Sequence, residues 1–120
     1  MEANELRIGN LLESETSNCL FTKGIIEVDF STFQKISLYD CLKNLKAIPL
    51  TEEWLLKFGF KYNNPTYEWY DKSAVFFIQV NYLGFDLIAK FHNQVIKEIK
   101  YVHELQNLYF ALTGKELAKV

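Results

Sequence analysis

A chain of 120 residues, 49% hydrophobic and 23% charged, has the size and apolar content of an ordinary folded domain and lies far from the composition of disordered segments. Its formal net charge of -2 excludes a protein that coats nucleic acid through its overall field. Its two cysteines lie in separate segments with no Cys-x-x-Cys spacing and no histidine cluster nearby, so they indicate neither a zinc site nor a redox motif; Cys19 and Cys41 are expected as free buried thiols.

In chain order, Leu6 and Ile8 followed by Gly9-Asn10 read as a short strand from Glu5 to Leu12 that turns into a loop of small polar residues between Ser14 and Asn18. A second strand is expected at Cys19 to Thr22. Past a turn at Lys23-Gly24, Ile26, Val28 and Phe30 alternate as one face of a half-buried strand does. The N-terminal third therefore predicts a small antiparallel sheet. Leu38, Cys41, Leu42 and Leu45 recur at helical spacing and favour a short helix opened by Ser37, although Ile36 and Leu38 also alternate as in a strand. A clearer helix follows from Thr51 to Phe58. Thr51 is a good N-cap, Glu52 and Glu53 place negative charge in the first turn, Leu50 and Leu55 occupy the staple positions, and Gly59 supplies the stop.

Four apolar or alternating runs come next, at Tyr67 to Asp71, Ala74 to Tyr82, Phe85 to Phe91 and Val95 to Lys100. The short polar gaps between them predict hairpins, hence a four-stranded antiparallel meander. Val102, Leu105, Leu108, Tyr109 and Leu112 then form one stripe of a helix from Tyr101 to Thr113, with Gly114 as its stop and Leu117 placed to pack back. That helix is expected to cover one face of the meander. The sequence thus predicts a single α+β domain over residues 1–120, in which N-terminal strands and a meander pack with a middle helix and a C-terminal helix.

No nucleophile elbow, phosphate loop, zinc-protease or calcium-loop pattern occurs, so no catalytic, cofactor-binding or metal-ligating residue is assigned and no cofactor is expected. His103 and Glu104 are adjacent on a helix and point about 100 degrees apart, which prevents them from acting as a pair. His92 falls in a hairpin turn, where solvation explains it. Glu52 and Glu53 are accounted for by the helix dipole. An enzyme would need a cleft that gathers dispersed residues such as His92, His103, Asp71 and Asp86.

Aromatic residues make up 16% of the chain, more than a small core takes up whole, and rings at the surface favour a binding role. The candidate binding constellation is Tyr67 and Trp69 on one strand face with Lys90, Lys97 and Lys100 on neighbouring strands. Interleaved rings and cations on a sheet stack bases and track phosphates; the same rings also anchor protein interfaces. The N-terminus has no basic start followed by an apolar run, and no segment reaches the ~18 apolar residues of a membrane span, so a host-cell cytoplasm is the expected location and no membrane partner is expected.

Three blocks, Glu5-Leu-Arg-Ile-Gly-Asn10, Ile48-Pro-Leu-Thr-Glu-Glu-Trp-Leu-Leu-Lys-Phe-Gly-Phe60 and the stretch from Ile99 to Leu117, together resemble a family of small proteins carried by phages, prophages and other mobile elements of Bacteroidetes-type bacteria. The resemblance covers about a third of the chain and implies no catalytic residues. It implies a protein that binds and blocks a host protein or ribonucleoprotein, as anti-CRISPR proteins block RNA-guided nucleases. The alternative is a nucleic-acid-binding accessory protein that uses the basic and aromatic sheet face.

Overall fold

The chain makes its first sharp bend at Gly9, whose φ of 97° suits a residue without a Cβ. In the computed structural model, which describes residues 3–14, 21, 23–39, 41–63, 67–71, 76–80, 87–92, 94–117 and 119, a turn of 3-10 helix at Ala3–Glu5 leads through this bend into β1 (Leu11–Ser14). The strand starts later than its apolar residues suggest, because residues 9 and 10 bond to Val28 instead: Gly9 N–H donates to the Val28 carbonyl at 2.8 Å, and Val28 N–H donates to that of Asn10 at 2.8 Å. β2 (Gly24–Glu27) and β3 (Leu45–Ala47) flank β1 on either side, both antiparallel to it. Of the strand expected at Cys19 to Thr22 only Phe21 is described, a buried residue assigned to no strand; Cys19 with its thiol and Asp86 lie outside the described residues.

The alternating run at Ile26, Val28 and Phe30 is a strand only as far as Glu27. Asp29 ends it by capping α1 (Phe30–Tyr39). The Asp29 Oδ1 accepts from the Thr32 N–H at 2.9 Å and from the Thr32 hydroxyl at 3.1 Å, while the Asp29 N–H donates back to the Thr32 hydroxyl at 3.2 Å. This reciprocal box gives side-chain acceptors to two backbone donors at the helix start, one of which, the Thr32 N–H, also reaches the Asp29 carbonyl at 3.1 Å. The helix therefore lies upstream of the one expected from Ser37 to Leu45. Cys41–Asn44 is a 3-10 turn, and Leu45 enters β3. Leu6, Leu12, Phe21, Val28 and Leu45 form a buried cluster, and Ile26, Phe33, Ile36 and Leu42 pack against it.

α2 (Glu52–Lys57) begins where the sequence places it, with Thr51 at the N-cap in an extended conformation, although the threonine side chain makes no capping bond. Its end is held by two backbone bonds: Phe60 N–H reaches the Leu55 carbonyl at 3.0 Å and Gly59 N–H reaches that of Leu56 at 3.0 Å, with Gly59 at φ 84°. Leu55 and Phe60, the apolar pair of a Schellman motif, are both buried.

The meander has five strands, β4 (Lys61–Asn63), β5 (Glu68–Tyr70), β6 (Phe76–Val80), β7 (Leu87–Phe91) and β8 (Gln94–Ile99), each antiparallel to the next. The fifth strand, β4, is three exposed residues with no apolar periodicity, and its pairing with β5 alone makes it a strand. β7 and β8 are joined by two residues, and His92 takes φ 51°, as such a tight hairpin requires. The β7–β8 register runs from Ala89 opposite Lys97 to Lys90 opposite Val95, so Ile96 is the extra residue of a bulge.

α3 (Val102–Thr113) closes the chain, stopped by Gly114 at φ 73°. Its first turn is held by Glu104, whose Oε1 accepts from the Tyr101 N–H at 3.0 Å. The architecture is α+β, with a three-stranded and a five-stranded antiparallel sheet and three α-helices among the described residues. The chain divides into two compact units, Met1–Pro49 with Tyr101–Asn107, and Leu50–Lys100 with Leu108–Val120. In the second, Phe76 is the hub of an aromatic cluster, with Phe60, Phe91 and Tyr109 at ring-centroid distances of 6.3, 6.4 and 5.3 Å. Tyr109 brings the latter part of α3 against β6. Among the described residues no helix is long and apolar enough to cross a membrane.

Candidate functional site

Pairing register divides the five-stranded sheet into two faces. Tyr62, Trp69, Ile78, Ala89 and Lys97 stand in one cross-strand row, and Trp69, Ile78 and Ala89 of that row are buried. The opposite face carries Lys61, Tyr70, Phe77, Lys90 and Val95 in one row and Asn63, Glu68, Gln79, Ile88 and Glu98 in the next. Lys90 reaches back across β6 to pair with Glu68, Nζ to Oε2 at 2.9 Å. Both side chains are largely shielded, at 20% and 16% exposure, so the pair is a fixed part of the sheet surface.

The residues singled out in the sequence are distributed over both faces. Trp69 is buried with its ring 5.1 Å from that of Tyr62, and Lys97 shares its row. Lys90 lies on the opposite face. Tyr67 precedes β5 at φ 55° and is 54% exposed, and Lys100 follows β8 as an exposed residue whose carbonyl accepts from Leu50 N–H at 2.9 Å. Strand alternation alone did not show which face of β5 the core would take. On the open face the lysines Lys61 and Lys90 are matched by the carboxylates Glu68 and Glu98, which leaves little net charge to track phosphates.

A different surface stands out in the first unit. α1 turns Phe33 and Ile36 toward the core, while Phe30, Ser31, Gln34, Ser37 and Leu38 lie on an exposed arc of about 120 degrees. Phe30 is 69% exposed, Leu38 72%, and Tyr39 at the helix end 63%. The arc carries no charged residue. Lys35, the one charged residue of α1, lies off this arc with its ammonium 5.0 Å from the centre of the Phe21 ring. An isolated exposed leucine has no meaning on a protein surface, but two large apolar groups on an uncharged helical arc have the composition of an interface core.

The first unit also contains a buried polar network that joins the Glu5–Leu11 segment to α3. The Gln106 side chain bridges two backbone groups, accepting from Leu11 N–H at 2.8 Å and donating to the Gly9 carbonyl at 3.0 Å. The Asn107 Oδ1 accepts from Asn10 Nδ2 at 2.8 Å and from Arg7 Nε at 3.1 Å, and its Nδ2 donates to the Glu5 carbonyl at 2.7 Å. Asn10 and Gln106 are buried, and so is His103. The sequence does carry a sign of Gln106: it falls four residues after Val102 and three before Tyr109, within the helix stripe. Asn10 carries none, since Gly9-Asn10 reads simply as a turn.

His103 does not act with Glu104, whose carboxylate is engaged at the helix cap. Its ring stacks on Tyr101 at 6.0 Å and 16°, and neither ring nitrogen is within hydrogen-bonding distance of a partner; Nε2 stands 3.7 Å from the Glu5 carboxylate. Burial pushes the imidazole below its ordinary value, and the nearby carboxylates of Glu5 and Glu104 partly offset that. His92 is exposed, with its ring 4.3 Å from that of Phe91. His103 belongs to the first unit and His92 and Asp71 to the second. Among the described residues no three His, Cys, Asp or Glu side chains gather as metal ligands would.

Comparison with known proteins gives no relative: no family model matches the chain, and no curated protein and no solved structure is significantly similar to it.

Proposed function

We propose that this chain is an interaction protein that docks on a protein or ribonucleoprotein partner through the outward arc of α1. The observation that carries the reading is the exposure of Phe30 and Leu38 on an arc without charge. Burying such residues on a partner releases water from apolar surface at no cost in charge desolvation, whereas leaving them in water has no benefit to the free chain. The mobile-element resemblance supplies the setting. In that setting the partner is a host defence complex, such as an RNA-guided CRISPR nuclease, and the chain inhibits it by occupancy, without catalysis.

The test is affinity capture from a host extract with the tagged chain and with a Phe30→Ser/Leu38→Ser variant, identifying both protein and RNA. The reading expects a discrete complex on the wild type and its loss on the variant, with unchanged circular dichroism. Recovery of the same complex by both chains would reject α1 as the contact.

A nucleic-acid-binding accessory role is the second reading, favoured by Tyr70 and Phe77 lying between Lys61 and Lys90 on the open sheet face. Glu68 and Glu98 on that face place it second. Capture of nucleic acid alone, with salt-sensitive binding weakened by Lys61→Ala, would reverse the order.

A further inference from the structure

The structure assigns His103 as an acid-sensitive latch that holds the Glu5–Leu11 segment on the first turns of α3 while its imidazole is neutral. A buried histidine normally fixes its tautomer with at least one hydrogen bond, and this one makes none. It is 1% exposed, and 3.7 Å from its Nε2 stands the Glu5 carboxylate, which belongs to the segment it would hold.

Protonation gives the ring two N–H donors and a full charge in a site that can satisfy only part of the demand. Glu5 is able to close its 3.7 Å gap and accept one of them. Glu104, next to His103 on its own helix, already accepts from the Tyr101 N–H. The Tyr101 ring stacked against the imidazole offers a π face but no acceptor in its plane. The positive end of α3, in whose first turn His103 lies, opposes the added charge. Burial is the largest of the opposing effects.

The proton is therefore taken up more readily once the ring reaches water. The Glu5 carboxylate stands on the Nε2 side of the ring, at the end of a segment that Gln106 and Asn107 fasten to α3, and release of that segment is the opening that admits water to the ring. The imidazole's value is lowered in the folded unit, so the open state binds more protons between that lowered value and the ordinary one near 6.5. Closure is at full strength above about pH 6.5 and weakens as pH falls below it.

The readout is amide hydrogen exchange at Leu11, whose N–H is bonded to the Gln106 side chain, expressed as protection corrected for the intrinsic pH dependence of exchange. Between about pH 7.5 and about 5.5 the wild type should lose protection by up to roughly tenfold per pH unit below 6.5, the slope of a single linked proton. His103→Gln, which has no proton to gain, should show a flat profile. A flat wild-type profile, or the same slope in the variant, would overturn the latch. Should the variant fail to fold, ring nitrogen shifts of the wild type decide it, with added free imidazole as the reference. His103 must then titrate below 6.5, and Leu11 protection must fall between 6.5 and that midpoint and level off below it. A midpoint at or above 6.5, or titration with protection unchanged, rejects the proposal.

Discussion

The hydroxyl of Tyr109 donates to the Oδ2 of Asp71 at 2.9 Å, binding a residue of α3 to a carboxylate that is only 5% exposed at the end of β5. The other oxygen of Asp71 accepts from the Phe76 N–H at 3.4 Å, and Phe76 in turn meets the Tyr109 ring edge-on. One side chain thus serves both as a core ring and as the donor to a buried charge.

Tyr109→Phe keeps the ring contact and removes the donor, so its cost isolates the hydrogen bond. A loss of about 1 to 3 kcal/mol is expected in urea unfolding. The phenol is pushed up to about 12, chiefly by burial and then by Asp71. A value raised above the unfolded one near 10 means that the folded state holds its proton longer, so this contribution is complete below about pH 10 and is lost as pH rises toward 12. The wild type should weaken across that window more than Tyr109→Phe does.

Trp69 and Tyr67, two residues apart, should behave oppositely. Trp69→Ala empties a buried site and should cost about 3 to 5 kcal/mol, which makes it a stability variant and no clean probe of binding. Tyr67→Gly relieves a left-handed backbone at φ 55° and should change stability by less than about 1 kcal/mol. Thermal unfolding of both variants checks the pair.

Gly59→Ala introduces a Cβ at φ 84°, where the Schellman turn needs a left-handed residue. A loss of about 1 to 2 kcal/mol is expected by urea unfolding, with Gly59→Asn intermediate because asparagine tolerates that conformation better than alanine.

Asp29→Ala removes the box that starts α1 and should reduce helical circular dichroism. The Thr32 hydrogen bonds hold the Asp29 carboxyl below its ordinary 3.8. A lowered carboxyl stabilises the fold above its unfolded value, and that contribution is lost as pH falls through the folded one. Acid unfolding should therefore lose part of its pH dependence below about pH 4 in the variant.

Legibility followed the range of the physics. α2 and α3 could be read because their caps, charges and stop residues lie within a few residues of one another, and the meander because its turns are short. α1 was missed because the Asp29–Thr32 box resembles a strand end when the apolar alternation of Ile26 and Val28 runs straight into Phe30. β4 has no signal of its own, since three exposed residues become a strand only by pairing with β5.

The binding surfaces divide in the same way. The sequence by itself determined the α+β class, the two later helices, the antiparallel order of the hairpins and the surplus of aromatic residues, all of which rest on local periodicity and backbone conformation. Only the tertiary structure decided that Trp69 faces the core, that Lys90 is neutralised by Glu68, that Phe30 and Leu38 stay in water, and that His103 is enclosed beside Glu5. Those outcomes depend on which side of an element is covered by residues distant in the chain, and covering a face is a packing choice that no local pattern encodes.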